Sequence, residues 1–237
     1  MSFDVDIDKT VHSERRSFRL RVRFRASAKR SVIFGPSGAG KSLTLQALAG
    51  LLTPDSGRIT FDGETLFDAS AGIDVPARAR GFGYLFQDYA LFPKLNVRQN
   101  IAFGLQTGLR NPASQVGGDA VERWLNAFEL GEVARQRPAE LSGGQRQRTA
   151  LARALVHSPR ALLLDEPFSA LDPALRDRMR AELDELLQRI DIPVVMITHD
   201  PEDLAWFGDT ALYLRDGTIT EAPAAPARRV STRIRAV

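Results

Sequence analysis

The sequence predicts an α/β fold built on a mostly parallel sheet, with an antiparallel β-subdomain at the N-terminus and an inserted α-helical subdomain. Three observations carry this. Short continuous apolar runs at 31–34, 161–165 and 194–198 alternate with helical segments, the pattern of strands buried on both faces. Two early segments instead alternate strictly between apolar and charged residues, the pattern of strands with one wet face. A largely helical block at about 88–158 lies between two of the apolar strands.

Taken in order, Phe3, Val5 and Ile7 alternate with Asp4, Asp6 and Asp8, and Phe18, Leu20, Val22 and Phe24 with Arg19, Arg21, Arg23 and Arg25. Antiparallel pairing would set aspartates against arginines across a solvated face, each pair contributing about 0.2–1 kcal/mol. A strand at 31–34 leads through a Gly-rich turn into a helix over about 41–52. A turn at 53–57 precedes a strand at about 58–61, and Asp62-Gly63 makes another turn. Residues 67–80 read as loop and 82–86 as a strand. Residues of about 97–137 read as helical, interrupted at 111–118, and a further helix spans about 144–156. Asp172-Pro173 and Asp200-Pro201 each pair an N-cap residue with proline at the first helical position. A final hairpin turns at Asp216-Gly217. One domain is expected over 1–221, followed by a loosely held basic tail at 222–237, rich in Ala, Pro and Arg.

Composition removes several classes of function. The chain is 43% hydrophobic and 26% charged, ordinary for a folded globule. With no cysteine there is no disulfide scaffold, thiolate nucleophile or Cys-ligated zinc. No apolar run reaches the roughly 18 residues a membrane span needs, and the acidic, alternating start resembles no targeting peptide. Residues 1–34 carry nine basic against four acidic side chains, and 222–237 four arginines without an acid, so the body between is net acidic although the whole chain is +3. A broad nucleic-acid face is therefore not expected.

Gly35, Pro36, Ser37, Gly38, Ala39, Gly40, Lys41 and Ser42 fit the pattern Gly-x4-Gly-Lys-Ser between a strand and a helix, with Leu43 closing the expected contact set. Glycines in such a loop turn backbone N–H groups toward phosphate, and the helix N-terminus adds positive potential. Lys41 is expected to reach the β- and γ-phosphates of a nucleotide, and the Ser42 hydroxyl to ligate Mg²⁺. Lysine is rare here (Lys9, Lys29, Lys41 and Lys94 among 32 basic residues), which favours a chemical role for Lys41. The apolar run before Asp165 and Glu166 ends in two carboxylates at a strand's carboxyl edge. Asp165 suits a Mg²⁺ site through a bound water and Glu166 a general base. Together these predict a P-loop NTPase core of the RecA-like type.

Ser142, Gly143, Gly144 and Gln145 open a helix as a second anion site, Gln87 follows the 82–86 strand, and His199 follows the 194–198 strand. With Ser169-Ala-Leu-Asp172, these motifs in this order resemble the ATP-binding-cassette (ABC) ATPases over nearly the whole chain. The resemblance implies two cassettes packed head to tail, with each ATP between the phosphate loop of one and residues 142–145 of the other. Asp172 belongs to the implied nucleotide-binding set. Gln87 would touch Mg²⁺ or the attacking water, and His199 would contact the γ-phosphate and hold Glu166. The first hairpin turn, 10–17, offers only His12 and arginines where that family usually stacks an aromatic on adenine.

Two classes compete within the family: the ATPase subunit of a membrane transporter, and a soluble ATPase acting on DNA, chromosomes or ribosomes. One phosphate loop, no cysteine and too short a span between Gln87 and Ser142 for a coiled coil favour the transporter. The stretches around Gln87–Pro93 and Val97–Ala102 resemble importers of oxyanions, iron, polyamines and sugars, and the short first hairpin, the Val32–Gly40 stretch and the Arg80–Gln87 stretch resemble the molybdate importers most. That implies integral permease subunits, a second copy of the chain and, indirectly, a solute-binding protein as partners, at the cytoplasmic face of the inner membrane. Those ATPases usually continue into a β-rich regulatory domain, whereas this chain stops soon after the Asp216-Gly217 hairpin, so it is expected to be either a short member or one without that domain and its feedback control. Phe92, Leu95 and Phe103 either seat a permease helix or pack the helical subdomain.

Overall fold

The computed structural model describes residues 2–13, 16–105, 111–169 and 171–220; the basic tail lies outside them. The chain opens with a hairpin of β1 (Phe3–Ser13) and β2 (Arg16–Ala26), then β3 (Arg30–Phe34) and α1 (Lys41–Ala49). A small meander follows: β4 (Ser56–Phe61), β5 (Glu64–Asp68), β6 (Ile73–Asp74) and the one-turn α2 (Ala77–Arg80). Next come β7 (Phe82–Leu85) and the helical block of α3 (Val97–Phe103), α4 (Asp119–Ala127) and α5 (Gly143–Leu155). The chain then alternates: β8 (Ala161–Asp165), α6 (Pro173–Arg189), β9 (Val194–Thr198), α7 (Pro201–Phe207), β10 (Thr210–Arg215) and β11 (Thr218–Thr220).

All strands join one sheet in the order β6-β5-β4-β1-β2-β11-β10-β3-β9-β8-β7. The expected parallel arrangement holds for β10-β3-β9-β8-β7, whereas β6-β5-β4-β1-β2 is antiparallel throughout. The sheet is therefore evenly mixed rather than mostly parallel, because tight hairpins supply its first half.

Strand alternation divides the core by sheet face. Leu162, Leu164, Val194 and Met196 pack with α3, α4, α5 and α6, while Leu163, Val195 and Ile197 pack with α1 and the N-terminal strands. The aspartate and arginine rows do face each other: Asp4 lies opposite Arg25, Asp6 opposite Arg23, with ion pairs Arg25–Asp4 and Arg23–Asp6 at 2.6 and 3.5 Å.

Four local expectations are corrected. The first helix ends at Ala49 rather than 52, because Gly50 adopts the left-handed cap at φ 76°. Residues 67–80 are not all loop. They hold the end of β5, then β6 and α2, and only the adjacent Leu66 and Phe67 are buried in β5, so no alternation marks it. Helix stops at Ala127, and Leu130, Val133 and Ala134 are buried by successive turns instead. The first turn is far shorter than 10–17: His12 pairs with Ser17 within the hairpin.

Arg80 is fully buried and joins α1 to the meander. Its guanidinium donates to the carbonyls of Ala47, Leu48 and Val75 and pairs with Asp74. Arg80→Met leaves two carbonyls at the α1 C-terminus without that donor, so urea unfolding should show a loss of about 2–4 kcal/mol. A loss under about 0.5 kcal/mol would contradict this role.

Candidate functional site

The parallel register brings four chain turns to one edge. Phe34 lies beside Thr198, Asp165 beside Ile197 and Leu85 beside Leu164, so β3, β9, β8 and β7 end level with one another. The loop after β3 is forced into shape by its glycines. A Cβ on Gly35 would stand 2.1 Å from the Leu214 carbonyl oxygen, and Gly40 sits at φ 102° with no room for one against Leu20 and Phe18. Pro36, Ser37 and Gly38 are exposed at the loop's crest, and Ala39 is tucked under it.

Lys41, at the first position of α1, is 4% exposed. Its ammonium donates to the carbonyls of Gly35 and Pro36 at 2.9 and 3.0 Å and pairs with Glu166 Oε1 at 3.2 Å. Ser42 Oγ donates to Asp165 Oδ1 at 3.2 Å, and the Tyr84 hydroxyl to Asp165 Oδ2 at 3.0 Å. Burial pushes the Asp165 carboxyl above the usual range against these two hydrogen bonds, which pull it down. Leu43, the next residue, is half-buried and packs against the core on the α1 face of the sheet. Glu166 turns at φ 43°, anchored by its N–H to the Ile197 carbonyl, and its Oε2 lies 3.0 Å from His199 Nδ1. Lys41, Glu166 and His199 thus form one connected group, beside the Ser42–Asp165 pair. Gln87 is exposed and shares with Asp165 and Ser169 an open cavity of about 470 Å³.

Ser142, Gly143, Gly144 and Gln145 lie elsewhere. Ser142 Oγ accepts from the Gln145 N–H while the Gln145 side chain accepts from the Ser142 N–H, a complete capping box at the start of α5. Gly143 and Gly144 lie against Leu171, Leu175 and Met179. Among the described residues no hydrogen bond joins 142–145 to the 35–42 loop. Asp172 caps α6 through the Leu175 N–H at 3.1 Å and is exposed.

Sequence motifs missed three contributors. Tyr84 falls in a predicted strand and in a stretch of family resemblance, and neither assigns its hydroxyl a partner. Arg180, nearly fully buried, donates to Asp203 Oδ1 at 2.7 Å and to Asp200 Oδ2 at 2.6 Å. Thr198 Oγ1 in turn donates to Asp203 Oδ2 at 2.6 Å and accepts from the Asp200 N–H, so both neighbours of His199 are clamped. The third is Phe18: its ring, not His12, lies against the loop at Gly40, while His12 lies near Asp55.

The donor set fits Mg²⁺. Ser42 and Asp165 offer hard oxygens side by side, and no group of three or more acidic or histidine side chains among the described residues could hold a metal unaided. A cation that keeps water and phosphate oxygens as its other ligands suits such a site.

The sequence profile of the ABC transporter family matches residues 21–169. The chain is 40% identical over 217 residues to the molybdenum import ATP-binding protein ModC of Rhodospirillum rubrum, an alignment covering 91% of this chain and 56% of that protein. It is 44% identical over 196 residues to the Fe(3+) ions import ATP-binding protein FbpC of Mesorhizobium japonicum, covering 83% and 53%. The chain spans a little over half the length of these curated relatives. Its fold matches a dimeric structure of the ATP-binding cassette MJ0796 in a post-hydrolysis state bound to ADP and Pi, with a TM-score of 0.74 at 28% identity over 93% of this chain and 97% of that one.

The clamp around His199 generates a direct test. Arg180→Met strips the cation from two buried or half-buried carboxylates, so stability should fall by about 3–5 kcal/mol. Backbone hydrogen exchange should accelerate across residues 198–204 beyond the global change; uniform acceleration would show that the clamp does not act locally.

Proposed function

Because the chain belongs to the ABC transporter family, we propose that it is the ATP-hydrolysing, nucleotide-binding subunit of a membrane importer. The observation that carries this is the connected group Lys41–Glu166–His199 beside Ser42–Asp165, at the mouth of a glycine-rich loop.

On this reading the backbone of 35–43 and the α1 N-terminus bind the ATP phosphates. Lys41 leaves Glu166 for the β- and γ-phosphate oxygens, a short move for an ammonium already at the loop. Ser42 and Asp165, with Gln87 at the same cavity, would hold Mg²⁺, which would supply charge neutralisation on the phosphate oxygens. Glu166, released from Lys41, accepts a proton from the attacking water, and His199 keeps that carboxylate aimed. Phe18 rather than His12 offers the aromatic surface beside the loop.

The separation of 142–145 from the loop supports a second copy as partner: the capped N-terminus of α5 meets the nucleotide of the other subunit, with Ser142, Gly144 and Asp172 at the junction. Such contacts repeat head to tail and close on two subunits. The dimeric cassette matched above fits this assembly.

Permease subunits are the other partners. Leu95 is 6% exposed and belongs to the core. Phe92 and Phe103 instead pack as a tilted pair, ring centroids 4.2 Å apart, and line a groove of about 1150 Å³ with Arg153 and Leu105. That groove is proposed to seat an apolar helix of the permease, which would place the protein peripherally on the cytoplasmic face of the inner membrane. No helix among the described residues is long and apolar enough to cross a membrane. The transported solute is proposed to be molybdate or a similar oxyanion, with iron as the second reading because the FbpC relative is as similar as ModC. Sulfate, polyamines and sugars remain alternatives. A solute-binding protein and the permease make that choice, since no residue argued here touches the solute. The soluble, non-transport reading is the less favoured one.

Phosphate-release assays should find Glu166→Gln slower than the parent chain by about 10²–10⁴-fold while ATP binding persists. Near-parental turnover would remove Glu166 as the base. Mixing Ser142→Arg with Lys41→Ala subunits, each inactive alone, should restore hydrolysis to no more than about a quarter of the parent, because only mixed dimers hold one intact site. No recovery above the separate subunits would contradict a shared site.

A further inference from the structure

We propose that Tyr84 is a positioning residue that ties the surface groove to the metal carboxylate. The groove's occupant rests on the importer reading above; the tyrosine's own chemistry does not. Tyr84 stands on β7 opposite Leu163 of β8, one strand from Asp165. Its hydroxyl donates to Asp165 Oδ2 at 3.0 Å, while Ser42 Oγ donates to Oδ1 at 3.2 Å. A carboxylate held at both oxygens has its plane fixed, and Oδ1 is the oxygen left facing Ser42 and the phosphate loop.

The same side chain faces outward along its ring. Tyr84 lines the groove of about 1150 Å³ that Ala79, Phe86, Phe92 and Phe103 also line. Its ring packs on Phe86 with centroids 4.4 Å apart, and Phe86 is the residue directly before Gln87. A body seated in the groove therefore presses on a ring whose hydroxyl is bonded to Asp165. Hydrogen bonds weaken steeply with displacement and angle, so a small movement of the ring changes how firmly the carboxylate is held. A phenylalanine at this position would fill the same wall but would not reach Asp165. That makes Tyr84→Phe the variant that isolates the hydroxyl.

The test uses the isolated protein, Mn²⁺ as a paramagnetic probe for the metal, and a non-hydrolysable ATP analogue. Tyr84→Phe should raise the Mn²⁺ dissociation constant about three- to tenfold by electron paramagnetic resonance, while analogue binding in chelator and the melting temperature stay at parental values. A second arm uses the absence of cysteine: Ala79→Cys carries the one reactive thiol, and a pyrene maleimide there fills the groove. Labelling should shift Mn²⁺ affinity by at least about twofold with Tyr84 present and leave it unmoved in the Tyr84→Phe background. Unchanged or tighter Mn²⁺ binding in Tyr84→Phe, or equal label effects in both backgrounds, would overturn the proposal. A failure of any permease to bind the groove would sink the importer reading and leave these measurements standing.

Discussion

The site is organised around a buried ammonium. Lys41 sits at a position almost closed to water, and a charge there is tolerated only if it is fully paired. Two of its partners, the carbonyls of Gly35 and Pro36, come from the loop it follows; the third is Glu166, from the far side of β9. Reaching Lys41 requires Glu166 to take a left-handed backbone conformation, which its own N–H secures against Ile197. His199 meets the remaining carboxylate oxygen, so one cation sets the positions of residues from three strand ends. Phosphate would offer Lys41 the same kind of oxygen partner, so on the proposed reading a nucleotide takes the place of Glu166 at the ammonium.

The surrounding structure keeps those strand ends in place rather than adding chemistry. The central strands are buried on both faces, so a shift of one residue in register would carry apolar side chains to the wrong layer. Arg180 draws Asp200 and Asp203 onto α6, whose N-terminus is capped by Asp172. The turn bearing His199 is thereby fixed to the helix whose first residues lie against Gly143 and Gly144. The start of α5 and the turn bearing His199 thus both pack on α6.

Legibility in the sequence followed how narrowly each position is constrained. The Gly-x4-Gly-Lys-Ser loop and the strand-end Asp165-Glu166 pair could be singled out because nucleotide and metal chemistry needs those residue types at those spacings, whereas the expected role of His199 comes from the family resemblance. The charged rows of β1 and β2 were legible from strict alternation, and their pairing sets Asp4 against Arg25. Tyr84, Arg180 and Phe18 escaped because each acts through a contact far away in sequence, which no local spacing records. β5 was missed since Leu66 and Phe67 are consecutive, and the stretch after Ala127 was misread as helix because turns, not periodicity, bury Leu130 and Val133.

In the proposed function one nucleotide site takes residues from two copies of the chain, a reading supported by the absence, among the described residues, of any hydrogen bond between 142–145 and the 35–42 loop. Sedimentation velocity of the Glu166→Gln protein, with and without ATP and Mg²⁺, tests it most directly. A monomer is expected without nucleotide and a dimer with it. A monomer in both conditions at tens of micromolar protein would contradict it.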